Sequence, residues 1–168
     1  MLKAILFDLG DTLIEEYVDD AEKLHQVHLV TKPMAKEILS SLANRYRIGL
    51  VTDTETSDEI SVRSALRKLH LDTFFSAVVT STDIGITKPN SKMFIEALKR
   101  LAVTPEESLM VGNDPVRDID GASQLGITTV LFRPSKYFDA NAANRADYVI
   151  DSLDELPALI NDRFEQGP

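Results

Sequence analysis

Acidic and hydroxyl side chains follow the first two apolar segments of this 168-residue chain. Asp8, Asp11 and Thr12 come after the first segment, and Thr52 and Asp53 come directly after the second. Carboxylate oxygens are hard ligands of the kind that Mg²⁺ prefers, and an aspartate beside a phosphoryl group can attack phosphorus to form an acyl-phosphate. Hydroxyl groups can donate hydrogen bonds to phosphate oxygens. These residue types therefore suit a divalent cation and a phosphoryl group.

The next two apolar segments are followed by residues that suit the same chemistry. Lys88 comes after the third segment, and Asn113, Asp114 and Asp118 come after the fourth. A lysine ammonium stabilises charge on the equatorial oxygens of a phosphoryl group. An amide oxygen binds Mg²⁺ as a carboxylate does, although it brings no negative charge. Four successive segments thus lead into side chains that together can hold Mg²⁺ and a phosphorylated ligand.

Six short apolar segments position these side chains, and they alternate with helical patterns. Because the segments are almost continuously apolar, they are typical of strands buried on both faces of a parallel sheet. Between them, apolar residues recur at intervals of three and four, which is the spacing of one helix face. The sequence therefore predicts one domain over residues 1–168, a three-layer α/β sandwich with a Rossmann-like parallel sheet, whose ligands bind at the carboxyl ends of the strands. The segments are Ala4-Ile5-Leu6-Phe7, Ile48-Gly49-Leu50-Val51, Ala77-Val78-Val79, Leu109-Met110-Val111, Thr129-Val130-Leu131-Phe132 and Tyr148-Val149-Ile150.

Residues 15–31 do not fit this alternation, because they contain no strand pattern. Tyr17, Ala21, Leu24 and His28 form a modest apolar stripe at helical spacing among acidic residues. We therefore predict one helix over residues 15–31 that lies over the strand ends as a minimal cap, outside the core layers. Such a short insert encloses little, so we expect the site to be open or to be covered by a second copy of the chain in a homo-oligomer.

The composition excludes several classes of partner and chemistry. Eighteen basic and 27 acidic residues give a net charge of −9, which opposes non-specific binding to nucleic acid and to anionic membranes. The lack of cysteine excludes disulfides, thiolate metal sites and thiol nucleophiles. No segment approaches the roughly 18 apolar residues of a membrane span, and the first apolar segment is too short for a signal peptide. We therefore expect a cytoplasmic protein.

The four groups of polar residues, taken in order, resemble the four motifs of haloacid dehalogenase-like hydrolases. The matching residues are Phe7-Asp8-Leu9-Gly10-Asp11-Thr12-Leu13, then Thr52, then Lys88-Pro89, then Val111-Gly112-Asn113-Asp114 with Asp118. Each motif alone is common, but four in order over nearly the whole chain are specific. The resemblance implies a Mg²⁺-dependent hydrolase of small phosphate monoesters that works through an aspartyl-phosphate intermediate.

The resemblance also implies roles for individual residues. Asp8 matches the nucleophile, which is also a metal ligand in that superfamily. Thr52 and Lys88 match the residues that hold the phosphate, and Thr12 and Asp53 join them as candidate substrate-binding residues. The Gly10 carbonyl, Asn113 and Asp118 complete the implied Mg²⁺ site with Asp8.

Two positions depart from the pattern of the phosphatases in that superfamily. The second aspartate, which acts there as general acid and base, is replaced by Gly10, and an aspartate follows at position 11. We hypothesise that the flexible Gly10 lets Asp11 move in and partly replace the missing acid. The second departure is Asn113, where the fourth motif usually opens with an acid. This change removes one negative charge, so we expect a lower metal affinity unless Asp114 or Asp118 compensates.

Purely structural roles also fit several of these residues. Asp53 could cap the entry to the following helix, and Asp114 and Asp118 could face the positively polarised start of the next one. Asp11 could cap a turn, and Lys88 could be a solvated loop residue before a helix.

Two other functions compete with phosphate ester hydrolysis. Gly10 and Asn113 both reduce the acid content of the site, which favours a catalytically weak or silent phosphate-binding or regulatory module on the same fold. Hydrolysis of 2-haloacids is the second alternative, because it would use Asp8 as the nucleophile without a second acid. The dehalogenase relatives, however, have a larger helical cap than residues 15–31 provide.

Overall fold

A parallel β-sheet lies at the centre of the structure, a computed structural model that describes residues 1–15, 23–133 and 145–165. Its strands are β1 (Ala4–Phe7), β2 (Arg47–Thr52), β3 (Phe75–Thr80), β4 (Ser108–Gly112), β5 (Thr128–Phe132) and β6 (Tyr148–Ile150). They lie in the order β3-β2-β1-β4-β5-β6, and each neighbouring pair is parallel. The prediction of a Rossmann-like parallel sheet from six apolar segments is confirmed.

Helices and short turns connect the strands. The α-helices of the described ranges are α1 (Ala35–Ala43), α2 (Glu59–Lys68), α3 (Ser81–Ile84), α4 (Ser91–Leu101), α5 (Gly121–Ser123) and α6 (Leu156–Ile160). Turns of 3₁₀ helix lie at Leu24–Gln26, Asp72–Phe74, Pro105–Glu107 and Leu153–Glu155, and π-helical turns lie at Pro115–Asp120 and Asn161–Glu165. None of the helices in the described ranges has the length and apolar character needed to cross a lipid bilayer.

Strand β1 shows why the molecule has three layers. Successive side chains of a strand point to opposite faces of the sheet. Ile5 and Phe7 belong to one hydrophobic cluster, together with buried side chains of α1, α2 and α6. Ala4 and Leu6 belong to a second cluster, which α4 covers. Helices therefore pack on both faces of the sheet, and the predicted three-layer sandwich is confirmed.

The segment before α1 corrects the prediction of one helix over residues 15–31. Residues 24–26 form a single 3₁₀ turn, and residues 27–30 continue without helical structure. Leu24 is buried in the same cluster as α2, and its backbone N–H donates to Ser57 Oγ over 2.7 Å. This part of the segment is therefore a piece of the core, not a helix lying over it. Tyr17 and Ala21, half of the predicted stripe, lie outside the described residues.

Backbone pairing with a distant segment explains the difference. Ile14 and Thr31 form an antiparallel bridge; Glu15 N donates to Val30 O over 2.8 Å, and Lys32 N donates to Leu13 O over 2.9 Å. These bonds satisfy backbone groups that a helix would otherwise satisfy internally. The branched side chains of Val30 and Thr31 also suit an extended backbone better than a helix.

Candidate active site

Lys88 lies between two aspartates at the carboxyl ends of the central strands. Its Nζ donates to Asp8 Oδ1 and to Asp118 Oδ1, both over 2.6 Å, and to Val51 O over 3.1 Å. The exposed fractions of the three residues are 4% for Lys88, 7% for Asp8 and 1% for Asp118. Lys88 is therefore buried, and the alternative of a solvated loop residue is wrong. The structure brings together side chains that lie up to 110 positions apart in the chain.

Two strand ends and one connection set the position of the lysine. Asp8 is the first residue after β1, and Lys88 lies in the connection from α3 to α4. The backbone N–H of Lys88 donates to Asp53 Oδ1 over 2.9 Å, which attaches this connection to the end of β2. Asp53 is thus a support for the backbone at Lys88. It does not cap α2, since Asp58 does so by accepting from Ser61 N.

Gly112 makes room for the carboxylate of Asp118. A Cβ at position 112 would overlap Asp118 Oδ2 and Cβ, so a side chain there would displace the aspartate. The same Oδ2 accepts from Asp114 N over 3.0 Å, while Oδ1 faces Lys88. The glycine that ends β4 is therefore required by close approach, and it directs Asp118 towards the lysine.

Burial and neighbouring charges shift the pKa values of Lys88 and Asp118. Burial alone would lower the pKa of Lys88, but the carboxylates of Asp118 and Asp8 outweigh it and raise the pKa above its usual value. Burial raises the pKa of Asp118, and the neighbouring charge of Asp8 adds to this effect, although Lys88 opposes both. The ammonium is thus the group that keeps two buried carboxylates together.

A second group of oxygens converges on the side-chain amide of Asn113. The inward-facing atom of this amide lies 3.2 Å from each of Asp8 Oδ2, the Gly10 carbonyl oxygen and Thr12 Oγ1. The Thr12 hydroxyl also lies 3.2 Å from Asp8 Oδ2, to which it can donate. The loop after β1 and the loop after β4 therefore meet at Asp8 Oδ2, whereas Lys88 contacts Asp8 Oδ1.

These donors fit a small divalent cation. Mg²⁺ binds oxygen at about 2.0–2.1 Å in octahedral geometry, which places neighbouring ligand oxygens about 2.9 Å apart. The inward amide atom of Asn113 lies 3.2 Å from Asp8 Oδ2 and from the Gly10 carbonyl oxygen, which is close to this value. Within residues 1–15, 23–133 and 145–165, no three acidic or histidine side chains lie together as a metal site. The candidate metal ligands are therefore one carboxylate, one backbone carbonyl and one side-chain amide. Of the four predicted ligands, Asp8, Gly10 and Asn113 lie together. Asp118 differs, because its Oδ1 accepts from Lys88 and its Oδ2 accepts from Asp114 N.

Asp11 faces a lysine that the sequence reasoning did not single out. Asp11 has a φ of 56°, a left-handed conformation that aspartate tolerates better than most residues, so Asp11 and not Gly10 takes the turn. Lys32 Nζ donates to Asp11 Oδ1 over 3.1 Å and to Glu15 Oε2 over 2.7 Å. Burial would lower the pKa of Lys32, but its hydrogen bonds to Glu15 and Asp11 raise it overall. Lys32 therefore holds the candidate acid at the edge of the site.

The remaining candidates divide between the site and its supports. Thr52 is buried at the end of β2, where its hydroxyl lies 3.5 Å from the carbonyl oxygen of Asp53. Asp114 accepts from Val116 N and Arg117 N, so the capping role considered for it is confirmed. Arg117 Nε donates to Asp114 Oδ2 over 2.8 Å, and its Nη1 lies 3.8 Å from Asp53 Oδ2.

Sequence reasoning missed Lys32 and the reason for Gly112. Lys32 lies 21 positions from Asp11, and no local pattern links them; only the pairing of residues 13–15 with 30–32 brings them together. Gly112 carried a usable signal, because a glycine that ends a buried strand often marks close approach of another group.

Comparison with known proteins shows which family the chain resembles. The family model described as haloacid dehalogenase-like hydrolase matches residues 3–132. The chain is 39% identical over 127 residues to a glyceraldehyde 3-phosphate phosphatase of Pyrococcus furiosus, which covers 74% of this chain and 52% of that protein. It is 35% identical over 161 residues to a ribulose-1,5-bisphosphate 5-phosphatase of Halopiger xanaduensis, and this alignment covers 91% of this chain and 63% of that protein. The chain thus spans about half to two thirds of the length of these curated relatives.

Solved structures show the same fold. A HAD phosphatase from Thermococcus onnurineus aligns with a TM-score of 0.80 at 23% identity, over 95% of this chain and 98% of that one. A 2-haloacid dehalogenase from Pseudomonas syringae aligns with a TM-score of 0.77 at 22% identity, over 96% and 99%. The fold, the order of the four motifs and the family match agree, and the chain belongs to the haloacid dehalogenase-like hydrolases.

Proposed function

We propose that the chain is a Mg²⁺-dependent hydrolase of phosphate monoesters, with Asp8 as the nucleophile. The observation that carries the proposal is the contact of one buried ammonium with Asp8 and Asp118, beside an oxygen cluster that suits Mg²⁺. A cation and a lysine on the two sides of one carboxylate can hold a phosphoryl group in line with it. The family match and the phosphatase relatives support the same reaction.

Each step of the reaction can be assigned to residues of this chain. A carboxylate oxygen of Asp8 forms a bond to phosphorus while the ester P–O bond breaks, and the leaving oxygen takes up a proton from Asp11, the candidate acid, or from water. Lys88, Thr12 and Thr52 donate to the oxygens of the phosphoryl group. Water then attacks phosphorus, which releases phosphate and restores the carboxylate of Asp8. Bound Mg²⁺ would supply positive charge to the phosphoryl oxygens, with Asp8 Oδ2, the Gly10 carbonyl and Asn113 as the residues that hold it and Asp118 as a further candidate.

The proposed substrate is a small phosphorylated molecule. The relatives are named for glyceraldehyde 3-phosphate, ribulose 1,5-bisphosphate and, in Bacillus mycoides, pyrophosphate. The net charge of −9 disfavours a polyanion such as nucleic acid. A panel of sugar phosphates, pyrophosphate and p-nitrophenyl phosphate, with and without Mg²⁺, would identify the class that is hydrolysed.

Replacing Asp8 with asparagine tests the proposed nucleophile. The amide keeps the shape of the side chain but cannot form the acyl-phosphate, so Mg²⁺-dependent turnover of p-nitrophenyl phosphate should fall by about 10³-fold or more. Asp72→Asn is the matched control, since Asp72 pairs with Arg63 before β3, at the opposite edge of the sheet. Turnover retained by Asp8→Asn would end this mechanism. Silence of the unmodified protein on the whole panel would favour a regulatory module, and chloride release from 2-chloropropionate would favour a dehalogenase.

A further inference from the structure

The side chain of Asn113 stands where the family pattern has an acid, and its contacts depend on which end of the amide faces inward. A primary amide has a donor end and an acceptor end of nearly the same size. The inward atom meets Asp8 Oδ2, the Gly10 carbonyl oxygen and Thr12 Oγ1, each at 3.2 Å. Two of these three oxygens can only accept a hydrogen bond.

With Nδ2 inward, the network is complete without a cation. The two hydrogens of Nδ2 donate to Asp8 Oδ2 and to the Gly10 carbonyl, and the Thr12 hydroxyl donates to Asp8 Oδ2. Asp8 Oδ1 is already held by Lys88. Every oxygen of the nucleophile therefore has a donor, and the loops after β1 and β4 are joined across the site.

With Oδ1 inward, the network is incomplete. The Thr12 hydroxyl can donate to Asn113 Oδ1 over 3.2 Å, but the lone pairs of Asp8 Oδ2 and the Gly10 carbonyl then face Oδ1 with no hydrogen between them. Such a cluster of oxygens is unfavourable unless a positive charge lies among them. The two orientations of one amide thus suit two states of the site, one without a cation and one with it.

We propose that Asn113 exchanges the ends of its amide when the site binds Mg²⁺, and that this exchange is why an amide replaces the acid here. Without a cation, an acid at position 113 would lie 3.2 Å from Asp8 Oδ2, and Lys88 cannot neutralise it because it already serves Asp8 and Asp118. The amide joins the two loops when no cation is bound, but it gives a lower affinity for the cation than an acid would. The inference rests on the proposed metal site, but it can be tested without turnover.

Asn113→Asp separates the two states. In a chelator, we expect the melting temperature Tm of the variant to lie about 3–6 °C below that of the unmodified protein, because a donor is lost and two carboxylates face each other. In titrations with Mg²⁺ alone, followed by calorimetry, the Kd of the variant should be about tenfold lower, because one negative ligand is added. A variant that folds only when Mg²⁺ is present would give the same answer in its strongest form.

Asn161→Asp is the matched control, since it makes the same chemical change on an exposed residue that accepts from Arg45 Nη1. Its Mg²⁺ affinity should equal that of the unmodified protein. In ¹⁵N-labelled unmodified protein, the side-chain amide signal of Asn113, identified by its loss in Asn113→Asp, should move when Mg²⁺ is added. An unchanged Tm in chelator, an unchanged Kd or an unmoved amide signal would overturn the inference. A lack of phosphatase activity alone would count against the proposed function and not against the amide exchange.

Discussion

At the scale of single residues, the site has a glycine where the phosphatase pattern has its second acid. The usual general acid is replaced by Gly10, and Asp11 takes a left-handed turn with its carboxylate on Lys32. Once it has taken up a proton from water, the Asp11 carboxyl group can deliver that proton to a leaving group through a small rotation or one water molecule. The contacts therefore keep Asp11 as the candidate acid and identify Lys32 as the residue that positions it.

The leaving group tests this role of Asp11. General acid catalysis matters most when the leaving oxygen is basic, so Asp11→Asn should lower kcat/KM for an alkyl phosphate by about 10²-fold and that for p-nitrophenyl phosphate by about threefold or less. Asparagine also tolerates the left-handed turn, so the backbone is preserved. Glu15→Gln serves as the control, because it removes the other carboxylate on Lys32 and leaves Asp11 unchanged. Equal losses for the two esters would exclude Asp11 as the proton donor.

At the scale of helices and strands, the backbone stores some strain at positions that end helices. Ala102 follows α4 with φ 52° and ψ 52°, and its backbone N–H still donates to Leu98 O and Lys99 O. A left-handed residue at this point satisfies the last carbonyls of the helix, and glycine adopts that conformation without the steric cost that a Cβ imposes. Ala102 therefore satisfies the carbonyl groups at the end of α4, but it does so at the steric cost of a Cβ in the left-handed conformation.

Ala102→Gly should therefore stabilise the protein. We expect the free energy of unfolding to rise by about 1 kcal/mol, because the cost of a left-handed Cβ is removed. Urea denaturation would show this as a higher midpoint with an unchanged slope. Ala43→Gly, at a right-handed position in α1, should lower stability by about 0.5–1 kcal/mol. A midpoint that falls in both variants would contradict this explanation.

At the scale of the whole molecule, the order of the strands assembles the site. Because β1 lies between β2 and β4, the loops that follow these three strands meet at one edge of the sheet. Lys88 lies in the connection after β3 and contacts Asp8 after β1, Val51 near the end of β2 and Asp118 in the helical turn that follows β4. Removal of this one ammonium should weaken the packing of the entire edge.

Lys88→Met tests how far the fold depends on that contact. Two carboxylates would remain buried without their partner, so the free energy of unfolding should fall by about 3–5 kcal/mol and Tm by about 10 °C. The loss should shrink as the pH is lowered from about 7, the raised pKa of Asp118, to about 5, since a protonated Asp118 no longer repels Asp8 in the folded state. Lys92→Met, on the exposed face of α4, should change stability by about 0.5 kcal/mol or less. If the two variants were equally stable, the buried lysine would have no role in stability.

The sequence by itself determined the strands of the sheet and named most of the candidate site residues. Continuous apolar segments specify buried parallel strands, and polar residues after them must lie at the carboxyl edge, so Asp8, Thr52, Lys88 and Asn113 could be named in advance. These patterns are local, which is why a single chain of letters reveals them. The predicted cap helix over residues 15–31 failed over residues 23–31 because its backbone pairs with residues 13–15, a contact that no local pattern encodes.

Only the tertiary structure decided how those residues are divided between chemistry and support. Asp118 contacts Lys88 in the space left by Gly112, and Asp114 caps the helical turn that begins at Pro115. Asp11 pairs with Lys32. The tertiary structure also surrounds one amide with three oxygens. Hydrogen bonds and charges act over a few ångströms in space, whatever the separation along the chain. Their partners therefore become known only when the strand order brings distant loops to the same edge.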